Sequence, residues 1–373
     1  MRRLKVGVVG LGPRAGIMET AVNHPAVELA ALCDLALETK RQPGGLIDRL
    51  SRKSGREPEL FTDYERMLGA GLDCVFVLTP PPLHAGMASR ALRAGCDVVS
   101  EIPAAWTLEE ARQLVAAVRD TGRRYYFAEN CCYWGFVRAW KAMARQGRLG
   151  SISYAEGEYV HDLGALLERN IWEPEHGNAR GKYSSWRASL DPIRYCTHET
   201  GPLLDIMDTR VSSVTAFASP SYVRPDLPAG CDLQLAVFQT ASGALYKQLC
   251  AFSVTRHPPL HYYVVYGSRA TLETDREDMS TLASFTDIPN LGGLTRLPLS
   301  YAVSEPPLPD WARAGHGGAD GLMLMEILDS LVAGTPPPID VYRGLDYSLP
   351  GICAVESLRN GNMKVEVPDP RAW

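Results

Sequence analysis

The sequence predicts an α/β fold: a doubly wound parallel sheet first, then a C-terminal α+β region with an open-faced, mostly antiparallel sheet. Three observations predict it. Residues 4 to 127 alternate between short apolar runs and helical stretches. A glycine-rich turn joins the first apolar run to a helical segment. Beyond about residue 128 the runs alternate polar with apolar residues, as strands with one covered face do.

The N-terminal runs are LKVGVVG, VELAALCD, DCVFVLTP, CDVVSE and RYYFAEN. They are too uniformly apolar to have a wet face, which marks strands covered on both sides. Between them lie LHAGMASRALRAG and TLEEARQLVAAVRDTG. In the second, Leu108, Ala111, Leu114, Val115 and Val118 share one helical face, and Thr107 with Glu110 predicts a capping box. YWGFVRAWKAMARQG predicts a helix over roughly 133 to 147. SISYAEGEYV, RVSSVTAFAS, DLQLAVFQT, ALYKQLCAFSV, HYYVVYGS and ATLETD predict the second sheet. The stretch 164 to 195 is too long for a simple connection and predicts a lid or substrate loop. The helix GLMLMEILDSLVAG and a segment near 344 to 358 close the chain. With 373 residues, two units are expected, 1–127 and 128–373, the C-terminal segment being free to pack back on the first.

Hydrophobic content of 46% and charge of 22% are ordinary for a globular protein. The net charge of -5, with basic residues clustered only at Arg52, Lys53 and Arg56, argues against a nucleic-acid partner. No apolar run approaches the ~20 residues that span a bilayer. The start, MRRLKVGVVG, lacks a long apolar core and a cleavage site, so a cytoplasmic location is expected. Cys33, Cys74 and Cys96 sit in strand-like runs as small hydrophobes, Cys131 and Cys132 are adjacent, and no C-x-x-C occurs. A structural zinc site is not expected.

The turn carries the first chemistry. Gly10-Leu11-Gly12-Pro13-Arg14-Ala15 reads G-x-G-x-x-A after a strand and before a helix, the dinucleotide-binding arrangement. Gly10 serves the tight turn, and Gly12 lets the backbone approach a pyrophosphate. Ala15 or Gly16 lets helix pack on strand, and Pro13 suits a first helical turn. Asp34 ends the second strand, where a carboxylate meets the ribose hydroxyls. No arginine directly follows it, which favours NAD over NADP.

Further segments narrow the class. Thr79-Pro80-Pro81-Pro82-Leu83-His84, then ALRAG, then Glu101-Ile102-Pro103 resemble the TP-x-x-x-H, AL-x-x-G and E-K-P segments of the Gfo/Idh/MocA oxidoreductases. The resemblance implies a Rossmann domain followed by an open-faced sheet domain, with a sugar or cyclitol bound between them. It adds Arg14, Thr79, Pro80, His84, Glu101, Glu129 and Asn130 to the expected cofactor contacts. One departure matters: the lysine of E-K-P, which assists proton transfer in that family's dehydrogenases, is Ile102 here.

Four ordered segments are similar to a subgroup, the NAD-dependent glycosidases of the α-N-acetylgalactosaminidase type. They are Glu101-Ile102-Pro103, Glu129-Asn130-Cys131-Cys132-Tyr133, Tyr159-Val160-His161, and Tyr195-Cys196-Thr197-His198-Glu199-Thr200-Gly201-Pro202. In the last, Cys196 stands for proline and Glu199 for glycine of the subgroup's pattern. The resemblance implies a cofactor that is reduced and reoxidised within one turnover. A sugar is oxidised, C3 being the expected carbon, the C1 group is eliminated, water adds, and the ketone is reduced again. Such chemistry asks for several tyrosines and histidines and no particular lysine.

Tyr159 and His161, two apart on a strand, point to one face and are expected at C2. Tyr195 and His198 are expected at the C3 hydroxyl and the leaving group, with the division among the four open. Tyr133, Trp186, Arg187 and His316 are the expected substrate contacts. Trp172, Trp186 and Trp311 suit either sugar stacking or a core. His24, His176, His257 and His261 read as solvated or core histidines. Asp205 and Asp208 follow His198, but no further ligand is placed, so no metal is expected. The expected partners are a sugar or glycoside and, through the open sheet face, further copies of the chain as a dimer or tetramer. Two other functions fit: a conventional NAD-dependent sugar or cyclitol dehydrogenase with a histidine base, disfavoured by Ile102, and a catalytically silent sugar-binding protein, disfavoured by the tyrosines and histidines.

Overall fold

The computed structural model describes residues 3–168, 186–288, 293–304, 306–313 and 315–373. The first sheet has six strands, all paired in parallel: β1 (Leu4–Val9), β2 (Val27–Cys33), β3 (Glu59–Phe61), β4 (Cys74–Val77), β5 (Asp97–Ser100) and β6 (Tyr125–Phe127). Every residue of β4, β5 and β6 is buried, as the continuous apolar runs required. The order is β3-β2-β1-β4-β5-β6, so the chain reverses its progress across the sheet between β1 and β4. The crevice at the carboxyl ends of those two strands is where such sheets bind ligands. The edge strand β3 is an addition to the expected five. Its three residues, ELF, are too few to show alternation.

The capping box forms as expected: the Thr107 hydroxyl accepts from the Glu110 N–H, and Glu110 accepts from the Thr107 N–H at 2.9 Å. The expected helix over 133 to 147 spans Gly135–Arg145. The last two helices span Ala319–Ala333 and Val341–Arg359.

The second sheet has nine strands: β7 (Ile152–Val160), β8 (Val211–Ala218), β9 (Leu233–Thr240), β10 (Leu245–Ala251), β11 (Leu260–Gly267), β12 (Ala270–Thr274), β13 (Thr281–Phe285), β14 (Thr295–Arg296) and β15 (Val365–Glu366). Only β7 with β10 is parallel; the other pairs are antiparallel. Its two faces differ sharply. One carries Tyr154, Glu156, Lys247, Leu245, Val237 and Tyr266, all at least partly exposed. The other carries Ala155, Gly157, Tyr159, Tyr246, Gln248, Cys250, His261 and Tyr263, and packs inward.

The Val341–Arg359 helix packs on both sheets' surroundings. A Cβ on Gly344 would fall 2.8 Å from the Phe127 ring on β6, and one on Gly351 would fall 2.7 Å from the Ile193 carbonyl. The Ser348 hydroxyl accepts from the Ala104 N–H at 3.0 Å. The C-terminal segment is thus fastened to the first sheet's carboxyl-end loops. Within 164 to 195, short helical turns form at Ala165–Glu168, Trp186–Ser189 and Pro192–Tyr195. The middle of the expected lid, with Trp172 and His176, lies outside the described residues.

Candidate active site

The site begins where β1 ends. Gly10 has φ +88°, and a Cβ there would sit 2.7 Å from the Thr79 nitrogen, so only glycine fits the turn. A Cβ on Gly12 would meet nothing within 4 Å, which leaves open space over the turn for a phosphate group. Both oxygens of Asp34 accept backbone N–H bonds, from Leu11 at 2.7 Å and Ala36 at 2.8 Å. The carboxylate is therefore fixed beside the turn, with lone pairs left for ribose hydroxyls. Ala15 is fully buried and makes the close packing; Gly16 does not, since its Cβ position is open. The segment after the turn is a tight 3₁₀ helix, Pro13–Ile17, running into a single α turn, Met18–Ala21, rather than one long helix.

Gly12, Pro13, Arg14, Thr79, Pro80, His84, Glu101, Ile102, Trp186, Arg187 and Tyr195 line one hollow. His84 is buried, with one ring nitrogen 3.0 Å from the Pro103 carbonyl and the other 2.7 Å from the Thr79 carbonyl. Burial pushes its pKa down. It locks the loop after β4 to the loop after β5. Arg14 donates to Glu101 at 2.7 Å and lies 3.7 Å from Asp320. Asp320 also accepts from Asn130 at 2.8 Å and faces His316 at 2.9 Å. Despite burial, the imidazole of His316 and the Arg14 charge hold its carboxyl below the usual range. Asp320 thus gathers three expected site residues, although no motif surrounds it to mark it out.

Beyond this hollow stand several titratable groups. Glu129, just past β6, is fully buried and holds Nδ1 of His198 at 2.7 Å. Burial pushes the His198 pKa down, but the Glu129 carboxylate more than offsets it, and the net direction is up. For Glu129 the same pairing overrides burial and holds its pKa low. With Nδ1 engaged, Nε2 of His198 is the nitrogen left for a ligand. The Tyr159 and Tyr195 rings meet His198 edge-on, at 5.7 and 5.5 Å. Tyr159 also faces His161 Nδ1 at 3.3 Å. Burial lifts both phenols, Tyr195 to about 12. Burial and nearby His261 lower His161.

The fold therefore brings Tyr159, His161, Tyr195 and His198 together, next to the hollow lined by Trp186 and Arg187. Tyr133 lies elsewhere. It is buried and lines a separate hollow with Arg138, Lys141, Asp205 and Glu326. Ile102 is almost fully buried at the wall of the hollow and cannot relay a proton. Trp311 packs edge-on against the buried His24, away from the hollow. His257 is exposed, 3.8 Å from Asp162. His261, expected to be an ordinary solvated or core histidine, instead stacks on Tyr159 with centroids 4.2 Å apart and pairs with Glu199. Asp205 binds Arg343 and Tyr347, and Asp208 ends the Thr197–Met207 helix with φ +48°, so neither joins His198. Among the described residues, Glu129, Cys131 and His198 bring ligand-type atoms within 4.8 Å of one another. Hydrogen bonds join them: Cys131 Sγ lies 3.3 Å from the same Nδ1 that Glu129 holds.

Two parts of the chain match known protein families. Residues 4–129 match the oxidoreductase family with an NAD-binding Rossmann fold, and residues 309–371 match the C-terminal domain of glycosyl hydrolase 109. A glycosyl hydrolase family 109 protein of Saccharopolyspora erythraea is 27% identical, over 98% of this chain and 83% of the relative. One from Solibacter usitatus is 27% identical over 98% and 88%. Among solved structures, levoglucosan dehydrogenase in complex with NADH and levoglucosan superposes with a TM-score of 0.79 at 19% identity, covering 98% of this chain and all of that one. No helix among the described residues is long and apolar enough to cross a membrane.

Proposed function

We propose that this chain, which carries a Gfo/Idh/MocA NAD-binding Rossmann domain and a glycosyl hydrolase 109 C-terminal domain, is an NAD-dependent glycosidase. The single observation that carries the reading is the convergence of Glu129–His198, Tyr159 and Tyr195 beside the Gly12–Glu101 hollow, with Ile102 buried where a dehydrogenase's lysine is expected.

The residues present suit the cofactor. Gly10 and Gly12 leave the turn open for the pyrophosphate, Asp34 is fixed for ribose hydroxyls, and Thr79, Pro80 and His84 wall the cleft. When bound, NAD supplies the reversible oxidation of one sugar carbon, C3 in this proposal. Neutral His198, its tautomer set by Glu129, takes the proton of the C3 hydroxyl at Nε2. The 3-keto sugar has an acidified C2 hydrogen, whose loss expels the C1 group. We assign that step to the sheet face that carries Tyr159 and His161. Tyr195, kept protonated by burial, donates a hydrogen bond to substrate oxygen. Trp186 and Arg187 close the hollow over the sugar. The exposed sheet face, with Val237, Leu245 and Tyr266 uncovered, supports assembly into a dimer or tetramer.

The test incubates purified protein with nitrophenyl glycosides and NAD, following nitrophenol and the NADH absorbance together. Nitrophenol without NADH build-up is expected. Stoichiometric NADH from a free sugar would assign a conventional dehydrogenase instead. The His198→Ala variant is expected to lose turnover while still binding NAD; full activity would remove His198 from the mechanism.

A further inference from the structure

We infer that Glu199 and His261 form a second proton-transfer pair on the sugar side of the site, with His261 a catalytic residue and Glu199 its positioning residue. This rests on the glycosidase reading and names who acts at C2.

Glu199 is fully buried, and its partners are His261 Nδ1 at 2.6 Å and Gln248 Nε2 at 3.1 Å. A buried carboxylate is costly unless it is fully engaged. The fold is built around this one. A Cβ on Gly157 would fall 2.6 Å from Glu199 Cβ and 2.9 Å from Gln248 Oε1, so β7 carries glycine where the carboxylate passes. Gln248 is itself held on β10 by Tyr246, whose hydroxyl reaches Thr200 at 3.0 Å.

His261 is placed to use the orientation. It lies directly across from Tyr159 in the β11–β7 register, on the inward face of the sheet. Its side chain is 18% exposed, so the ring is not sealed in the core. Tyr159 stacks on it at 4.2 Å, Trp134 meets it edge-on at 5.2 Å, and the His198 ring is 5.9 Å away. His161 is a further titratable neighbour. Glu199 takes Nδ1, which leaves the Nε2 lone pair free. Two carboxylate–imidazole pairs, Glu129–His198 and Glu199–His261, thus flank Tyr159. That spacing matches a reaction that moves protons at neighbouring sugar carbons. Neutral His261 takes the C2 proton of the 3-keto sugar at Nε2. The C–H electron pair becomes the C1=C2 bond as the C1–O bond breaks, and the departing oxygen takes the proton back from the imidazolium. Charge and atoms balance, and His261 returns to its neutral form.

The experiment uses the full chain, with and without NAD. Imidazole ¹⁵N NMR of wild type should show His261 as the Nδ1–H tautomer, and Glu199→Gln should lose that signature while Glu199→Asp partly restores it. On a nitrophenyl glycoside, His261→Gln should lower both nitrophenol release and C2 deuterium uptake from D₂O about 100-fold, with NAD affinity unchanged. Glu199→Gln should lower kcat about 10-fold with KM little altered. Turnover of His261→Gln near wild type, or a His261 signal indifferent to Glu199→Gln, overturns the inference. A wild type silent toward every glycoside overturns the glycosidase reading and the C2 role with it, whereas the tautomer signal still decides whether the pair exists.

Discussion

Position 102 is the residue on which the functional reading turns. A lysine there would present a proton to the sugar; Ile102 walls the hollow with an apolar side chain and has no proton to give. In the proposed mechanism proton handling falls to Glu129–His198, and its electrostatics predict a pH dependence. Glu129 raises the His198 pKa against burial, and the base form of His198 is the neutral one. Activity should therefore rise with pH through a limb above the ~6.5 of a free imidazole. Glu129→Gln removes the raising charge and leaves burial, so the limb should move to lower pH while kcat drops about 100-fold. A kcat/KM profile whose acid limb does not move would remove the pair from the mechanism. Residues with a local pattern were legible in the sequence: Gly10, Asp34, Tyr159 and His198 sit in motifs. Asp320 and Glu199–His261 were not, because their partners lie far along the chain and only the folded sheet and helix ends bring them together.

At the scale of elements, long periodic segments were legible and short ones were not. The capping box at Thr107 needs only four residues to be recognised, and it forms. Strands β3, β14 and β15 are too short to carry a period, and they exist because a longer neighbour offers a paired edge. The helix after the glycine turn is shorter than its motif predicts, a 3₁₀ segment Pro13–Ile17 whose Arg14 side chain binds Glu101. The Ala319–Ala333 helix shows how closely an element can set the site. A Cβ on its Gly321 would fall 1.5 Å from the Ala312 carbonyl oxygen. Gly321→Ala should cost about 1–3 kcal/mol through overpacking, seen as a lower Tm. It should also weaken NAD binding, because neighbouring Asp320 holds Arg14, Asn130 and His316. An unchanged Tm would show that the Asp310–Ala312 turn yields freely.

Across the whole molecule, two sheets meet at the site, and the last long helix fastens them. The α/β class with a doubly wound first sheet and an open second sheet was legible, because buried parallel strands and one-face strands have different textures. The way the Val341–Arg359 helix joins them was not, since its contacts to Phe127, Ala104 and Ile193 arise from no local pattern. The arrangement sets the paired histidines next to the cofactor hollow, through Tyr195, and the proposed function is that a sugar is oxidised briefly there, loses its C1 group and is restored. That claim is tested most directly by running the glycosidase reaction in D₂O and examining the released sugar by NMR. Deuterium at C2 of the product, with no NADH accumulating, is the expected result. Hydrolysis that leaves C2 fully protonated would contradict it, because the C1 group would then have left without a 3-keto intermediate.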